Sequence, residues 1–203
     1  MILTEIKNVS LRFETDPSNF SPNNIDTGTL AMLSAVDFLP SDKILDMGCG
    51  YGVVGILAAK LIGYERVTMC DISESAVKQA KINAKLNGVP NIDIKISDGF
   101  CNIQDNDFTL ILSNPPYHTD FSVPRRFIEV GFKKLVLGGK MIMVTKRPDW
   151  YKNKLTSIFG GVRILEINGY YVFISEKRGE RVQKKEKTVN KLSKKLRKKQ
   201  RGV

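Results

Sequence analysis

The sequence predicts an α/β protein, a mostly parallel sheet covered by helices on both faces and finished by an antiparallel edge. Three observations carry that expectation. From Lys43 to Phe159, short apolar runs alternate with helical patterns, the rhythm of βα units. Several of these runs, such as Phe108-Thr109-Leu110-Ile111-Leu112-Ser113, are nearly continuous in apolar character, as buried parallel strands are. The last two runs, Val162 to Ile167 and Tyr170 to Ile174, sit close enough to form a closing hairpin.

The stretch to about Pro22 alternates apolar and polar residues weakly at Val9, Leu11 and Phe13, which predicts a short strand or hairpin on the core. Asp26-Thr27-Gly28-Thr29 starts a helix expected to reach Leu39, where Pro40 stops it. Ile44 to Met47 is a strand leading through a glycine-rich turn into a helix from Val53 to Leu61. Arg66 to Cys70 is the next strand, and Ser73 caps a helix that Asn87-Gly88 ends near Leu86. Ile92 to Ile96 and Phe108 to Ser113 are further strands. Pro124 to Leu137 reads as a helix ended by Gly138-Gly139, followed by a strand from Met141 to Thr145 and a helix from Asp149 to Phe159.

The 203 residues suffice for one domain with an appendage. The net charge of +11 is unevenly placed: residues 176–203 hold 13 Lys and Arg against 3 Glu, which leaves 19 basic and 18 acidic side chains in residues 1–175. A neutral body, residues 1–175, therefore carries a basic tail, residues 176–203. The tail's sparse apolar residues, Val189, Leu192 and Leu196, are too few to fold alone, and its cations suit phosphate binding by counterion release. No stretch is long and apolar enough to span a membrane, and the first residues lack a signal-peptide pattern, so a cytoplasmic protein is expected. Cys49, Cys70 and Cys101 are odd in number and far apart, which suggests neither a disulfide framework nor a metal site.

Asp46-Met47-Gly48-Cys49-Gly50-Tyr51-Gly52 closes the first strand of the βα rhythm. Alternate glycines permit a tight turn and close approach of a ligand to the backbone, and the next helix points its positive end there. Asp71 ends the second strand, where a carboxylate accepts from ribose hydroxyls. Asp98 follows the third, placed for an adenine amine, with Phe100 as a ring beside it. Together they outline an adenosine site. Gly50 to Gly55 with Asp71 also fits a dinucleotide fingerprint. Asp46 argues against a pyrophosphate at that turn and suits a cofactor bearing an ammonium and a sulfonium.

At Asn114-Pro115-Pro116-Tyr117 an apolar strand stops at two prolines. Prolines fix an extended ledge and bring no N–H of their own. The ledge offers the Asn114 amide, the Pro115 carbonyl and the Tyr117 ring, two acceptors and one flat face for a planar group bearing an NH2. His118, Arg125, Arg126, Lys146 and Arg147 lie near it in the pattern as candidate phosphate contacts or as plain solvated residues; for Trp150, packing is the expectation.

On these motifs, with Phe20-Ser21-Pro22 ahead of Asp26 to Thr29, the chain resembles the class I S-adenosylmethionine-dependent methyltransferases, and more narrowly the small-domain group that includes RsmC-type ribosomal RNA guanine-N2 enzymes. The resemblance spans roughly Phe20 to Ser175 and implies a Rossmann-like, seven-stranded fold. It implies S-adenosylmethionine as cofactor, held by Asp46, Gly48, Gly50, Gly52, Asp71, Asp98 and Phe100 and covered by the Asp26, Gly28 and Thr29 segment. It implies Asn114, Pro115 and Tyr117 as the catalytic set, no metal, and RNA met through the active-site rim and the 176–203 tail. Tyr117 is also the residue usual in adenine-N6 and glutamine-N5 methyltransferases, so the target nitrogen stays open between these and guanine.

Overall fold

A computed structural model describes residues 1–15, 24–115 and 120–180. Seven strands form one sheet in the order β5-β4-β3-β6-β7-β9-β8. They are β3 (Ile44–Met47), β4 (Val67–Asp71), β5 (Asp93–Ile96), β6 (Phe108–Ser113), β7 (Leu135–Thr145), β8 (Arg163–Ile167) and β9 (Tyr170–Glu176). The strands from β5 to β7 pair in parallel, while β9 runs antiparallel to both β7 and β8. The chain winds outward from β3 to β5, then returns to place β6 on the other side of β3. That reversal opens a crevice at the carboxyl ends of β3 and β6, where such sheets bind ligands.

Helices α1 (Thr27–Ser34), α2 (Val53–Ile62) and α3 (Glu74–Leu86) pack with one face of the sheet around Leu33, Ile56, Leu57, Ala80 and Leu112. Helices α4 (Ser122–Lys134) and α5 (Pro148–Phe159) cover the other through Ile128, Phe132, Leu155 and Phe173. The first strands, β1 (Ile2–Ile6) and β2 (Val9–Phe13), form a separate hairpin. Lys7 and Asn8 at its turn both have positive φ, the conformation that twists a two-residue turn to match its strands. The exposed edge of β2 is not left open. Asn87, the C-cap of α3, accepts from the Arg12 N–H (3.1 Å) and donates to the Arg12 carbonyl (2.7 Å). Asn83, one turn earlier, does the same for Glu14 and also donates to the Tyr51 carbonyl at 2.8 Å.

Two element boundaries differ from the sequence reading. Helix α1 stops at Ser34 rather than Leu39: the N–H groups of Ala35 and Val36 turn to the Met32 and Leu33 carbonyls in a tighter i→i−3 pattern, and further on the Asp42 carboxylate accepts the Leu39 N–H at 2.8 Å in a separate turn. Helix α4 stops at Lys134, and Gly138-Gly139 lies within β7 instead of ending a helix. The pair forms an irregularity in the β6–β7 register. Gly138 has φ of 80° and donates to the Lys177 carbonyl at 2.7 Å; a Cβ on Gly139 would stand 2.9 Å from the Val136 carbonyl oxygen. Lys177 is buried and its ammonium donates to the Leu135 carbonyl at 2.9 Å. Glu176 and Lys177, read as the start of the tail, thus pack as part of the body.

Candidate active site

The turn after β3 is fixed by its backbone. The N–H groups of Gly48 and Cys49 both donate to the Cys70 carbonyl, at 2.9 and 3.0 Å. The Asp71 carboxylate then grips both neighbouring loops, accepting from the Gly50 N–H and from the Ser73 N–H, each at 2.9 Å. Gly48 and Gly50 have φ of 74° and 55°, and nothing stands within 4 Å of where a Cβ would be. The turn therefore faces open space that any other residue would fill. Gly52 caps α2 at φ 105°, and a Cβ there would meet Ile56 Cδ1 at 2.8 Å.

Asp46 is only 3% exposed, and its Oδ2 accepts the Gly55 N–H at 2.9 Å from the first turn of α2. Burial pushes its pKa up to about 7, opposed by the Gly55 hydrogen bond and aided by the Asp71 charge. A carboxylate so far from water waits for a cation. Its neighbours Ile25, Asp26, Thr29, Gly48, Tyr51 and Asn114 line with it a cavity of about 70 Å³.

Asn114 follows β6 directly, and Ser113 just before it ties the strand end to β3 by donating to the Met47 carbonyl at 2.9 Å. The Asn114 amide nitrogen donates to Asp26 Oδ1 (2.7 Å) and to Thr29 Oγ1 (3.0 Å). Asp26 Oδ1 also accepts the Thr29 N–H at 2.8 Å, as the N-cap of α1. An ionised carboxylate can only accept, so Asp26 forces the nitrogen side of the amide toward α1 and the oxygen side away from it.

Asp26, Thr29, Asp46, Gly48, Gly50 and Asn114 thus gather around one cavity, with Gly28 buried in the first turn of α1. Pro115 is buried beside Asn114. Asp71 serves the same turn from behind. Asp98 stands apart, an exposed carboxylate paired with the Arg126 guanidinium at 2.9 Å. Phe100 does not line the cavity: it is 7% exposed and packs edge-to-face on Phe127 in the core. Tyr117, His118 and the Phe20 to Pro22 motif lie outside the described residues. Sequence reasoning missed Ile25, Tyr51, Val53 and Val54 as cavity walls, since apolar residues beside a turn look like ordinary core. It also missed Arg126 lying across Asp98 with its Nη2 2.8 Å from Cys101 Sγ. Among the described residues no group of three or more His, Cys, Asp or Glu could hold a metal ion, and no helix is long and apolar enough to cross a membrane.

Residues 10–175 match the family model described as "Methyltransferase small domain". The chain is 30% identical over 165 residues to "Ribosomal RNA small subunit methyltransferase C" of Serratia proteamaculans (strain 568), covering 79% of this chain and 47% of that protein. It is 29% identical over 178 residues to "Uncharacterized protein YbxB" of Bacillus subtilis (strain 168), covering 85% of this chain and 89% of that one. Among solved structures it resembles the T. Thermophilus 16S rRNA N2 G1207 methyltransferase (RsmC) in complex with AdoMet and guanosine, with a TM-score of 0.80 at 24% identity over 87% of this chain and 50% of that chain. The chain spans about half the length of the Serratia and Thermus proteins.

Proposed function

The chain belongs to the methyltransferase small domain family, and on that premise we propose that it is an S-adenosylmethionine-dependent N-methyltransferase. Its proposed target is an exocyclic base amine of RNA, guanine N2 of small-subunit ribosomal RNA before others, in the cytoplasm. The relatives' names and the Thermus complex support the substrate. The observation that carries the chemistry is Asn114, an amide set at a strand end beside a buried carboxylate and held in one orientation by Asp26 and Thr29.

The residues present fit the cofactor. Asp46 is a desolvated anion suited to an ammonium, Gly48 and Gly50 leave the space above the turn open, and Asp71 keeps acceptor sites beyond its two backbone bonds for a ribose. The cofactor supplies an activated methyl group on a sulfonium. The protein's part is placement and charge. An aromatic amine is a poor nucleophile because its lone pair is delocalised into the ring. Asn114 Oδ1 and the Pro115 carbonyl accept from that amine, which favours a pyramidal nitrogen and the positive charge that grows on it during attack. Residues that hold the amine beside a bound methyl donor would remove much of the entropic barrier. Tyr117 is proposed to stack on the base, and the basic residues after Lys177 to add affinity without sequence preference.

The test is transfer of radiolabelled methyl to ribosomal RNA from a strain lacking the gene, followed by nucleoside chromatography. Label in N2-methylguanosine is expected. Label in N6-methyladenosine would keep the mechanism and overturn the substrate, and label only in protein would overturn RNA altogether.

A further inference from the structure

The register of the sheet places a second cluster beside Asn114. Ser113 pairs with Met143 across β6 and β7, so the residues just after Thr145 emerge at the same rim as the ledge. Arg147 there is exposed, and its guanidinium lies 4.5 Å over the Phe121 ring. Phe121 in turn stacks on Trp150, with centroids 4.4 Å apart and planes 11° from parallel. Lys146, also exposed, reaches over Tyr170 with its ammonium 4.6 Å from the ring centroid. From Phe121 an open groove of about 500 Å³ runs along α4, lined by Arg125 and Arg126.

The carboxylates near this surface are mostly engaged. Asp120 accepts from the Ser122 N–H at 2.8 Å and keeps a charge that acts on Arg125, Glu129 takes the Lys154 ammonium and Asp98 takes Arg126; Asp149 is exposed in the first turn of α5. Arg125, Lys146 and Arg147 place three cationic side chains around a layered aromatic stack. We propose that this surface docks the single-stranded RNA flanking the methylated base, one neighbouring base stacking on the Arg147 plane and the backbone phosphates following Lys146 and Arg125. The inference rests on RNA being the substrate and names the part of the molecule that reads its approach. A planar guanidinium backed by a phenyl ring suits a base, because it meets the π face while its edge still donates to phosphate. A lysine at that position keeps the charge and loses the plane, so the substitution separates stacking from simple attraction.

The experiment measures binding of the full chain to a fluorescein-labelled twelve-nucleotide single-stranded RNA of mixed sequence, by anisotropy across a salt series. Wild type is run beside Arg147→Lys and Arg147→Gln, with thermal melting and S-adenosylhomocysteine binding as checks on the fold. Arg147→Lys is expected to weaken binding about tenfold at every salt concentration, the scale of one lost base stack, with the salt slope unchanged. Arg147→Gln should weaken it further and lower the slope by about 0.7, the share of one phosphate contact on a single strand. Arg147→Lys binding within twofold of wild type would overturn the stacking proposal while leaving the methyltransferase reading intact. Wild-type protein that binds no RNA in this assay would overturn the docking surface, while methyl transfer to ribosomal RNA decides the activity separately.

Discussion

Asp46→Asn keeps the acceptor that the Gly55 N–H needs and removes the charge that burial disfavours. In the folded chain the Asp46 carboxyl titrates near 7 rather than at its ordinary 3.8, chiefly through burial. Between those two values the folded state binds the proton that the unfolded state has lost. Wild-type stability therefore falls as pH rises from about 4, and the full cost is present above about 7. At roughly 1.4 kcal/mol per pH unit, the cost is at most about 4 kcal/mol, and Asn carries none of it. For a chain of this size each kcal/mol moves the melting temperature by about 2–4 °C. Melting by circular dichroism from pH 4.5 to 8.5 should show Asp46→Asn close to wild type at the acid end and clearly more stable at the alkaline end. Calorimetry at pH 8 should show cofactor binding lost in the same variant, since its ammonium partner is gone. A melting difference that stays constant across the pH range would mean that Asp46 does not titrate in this window in the folded chain.

Other perturbations follow from the same geometry. Wild type at pH 6 should release close to one proton on binding S-adenosylmethionine, seen as buffer-dependent heats, because the bound ammonium needs Asp46 ionised. Asn114→Asp sets two carboxylates 2.7 Å apart and should cut turnover severely, whereas the swap Asp26→Asn with Asn114→Asp should recover about tenfold by restoring a donor–acceptor pair. Asn87→Leu leaves the Arg12 N–H and carbonyl without their side-chain partners and should cost about 1–3 kcal/mol in urea unfolding, with the cofactor affinity little changed.

The sheet was legible because its strands are short apolar runs with clear stops: β6 is found from Phe108 to Ser113 as expected. The stops were less legible. Gly138-Gly139 reads as a helix end, but Lys177, distant in sequence, hydrogen-bonds to both glycines and draws the pair into β7. Leu39 fits a helical spacing, but α1 closes at Ala35 and Leu39 enters a turn with Asp42 instead. In the site, the glycine turn and Asp46 were readable since each needs its residue type for a local reason. Asp26 and Thr29 were read as a cover for the cofactor, yet their bonds also go to Asn114, 88 and 85 residues away, a pairing that no local pattern records. Phe100 was placed beside adenine by its position after a strand; its ring turns instead into the core against Phe127.

In the proposed mechanism Asn114 acts on the amine rather than on the cofactor. Single-turnover transfer of labelled methyl to ribosomal RNA, measured for wild type and Asn114→Ala alongside S-adenosylhomocysteine affinity, tests it most directly. Asn114→Ala should slow transfer by about 100-fold or more, the scale of one lost preorganised transition-state contact, while cofactor affinity stays within a few-fold. Transfer at the wild-type rate, or a loss of cofactor binding that accounts for the whole effect, would contradict it.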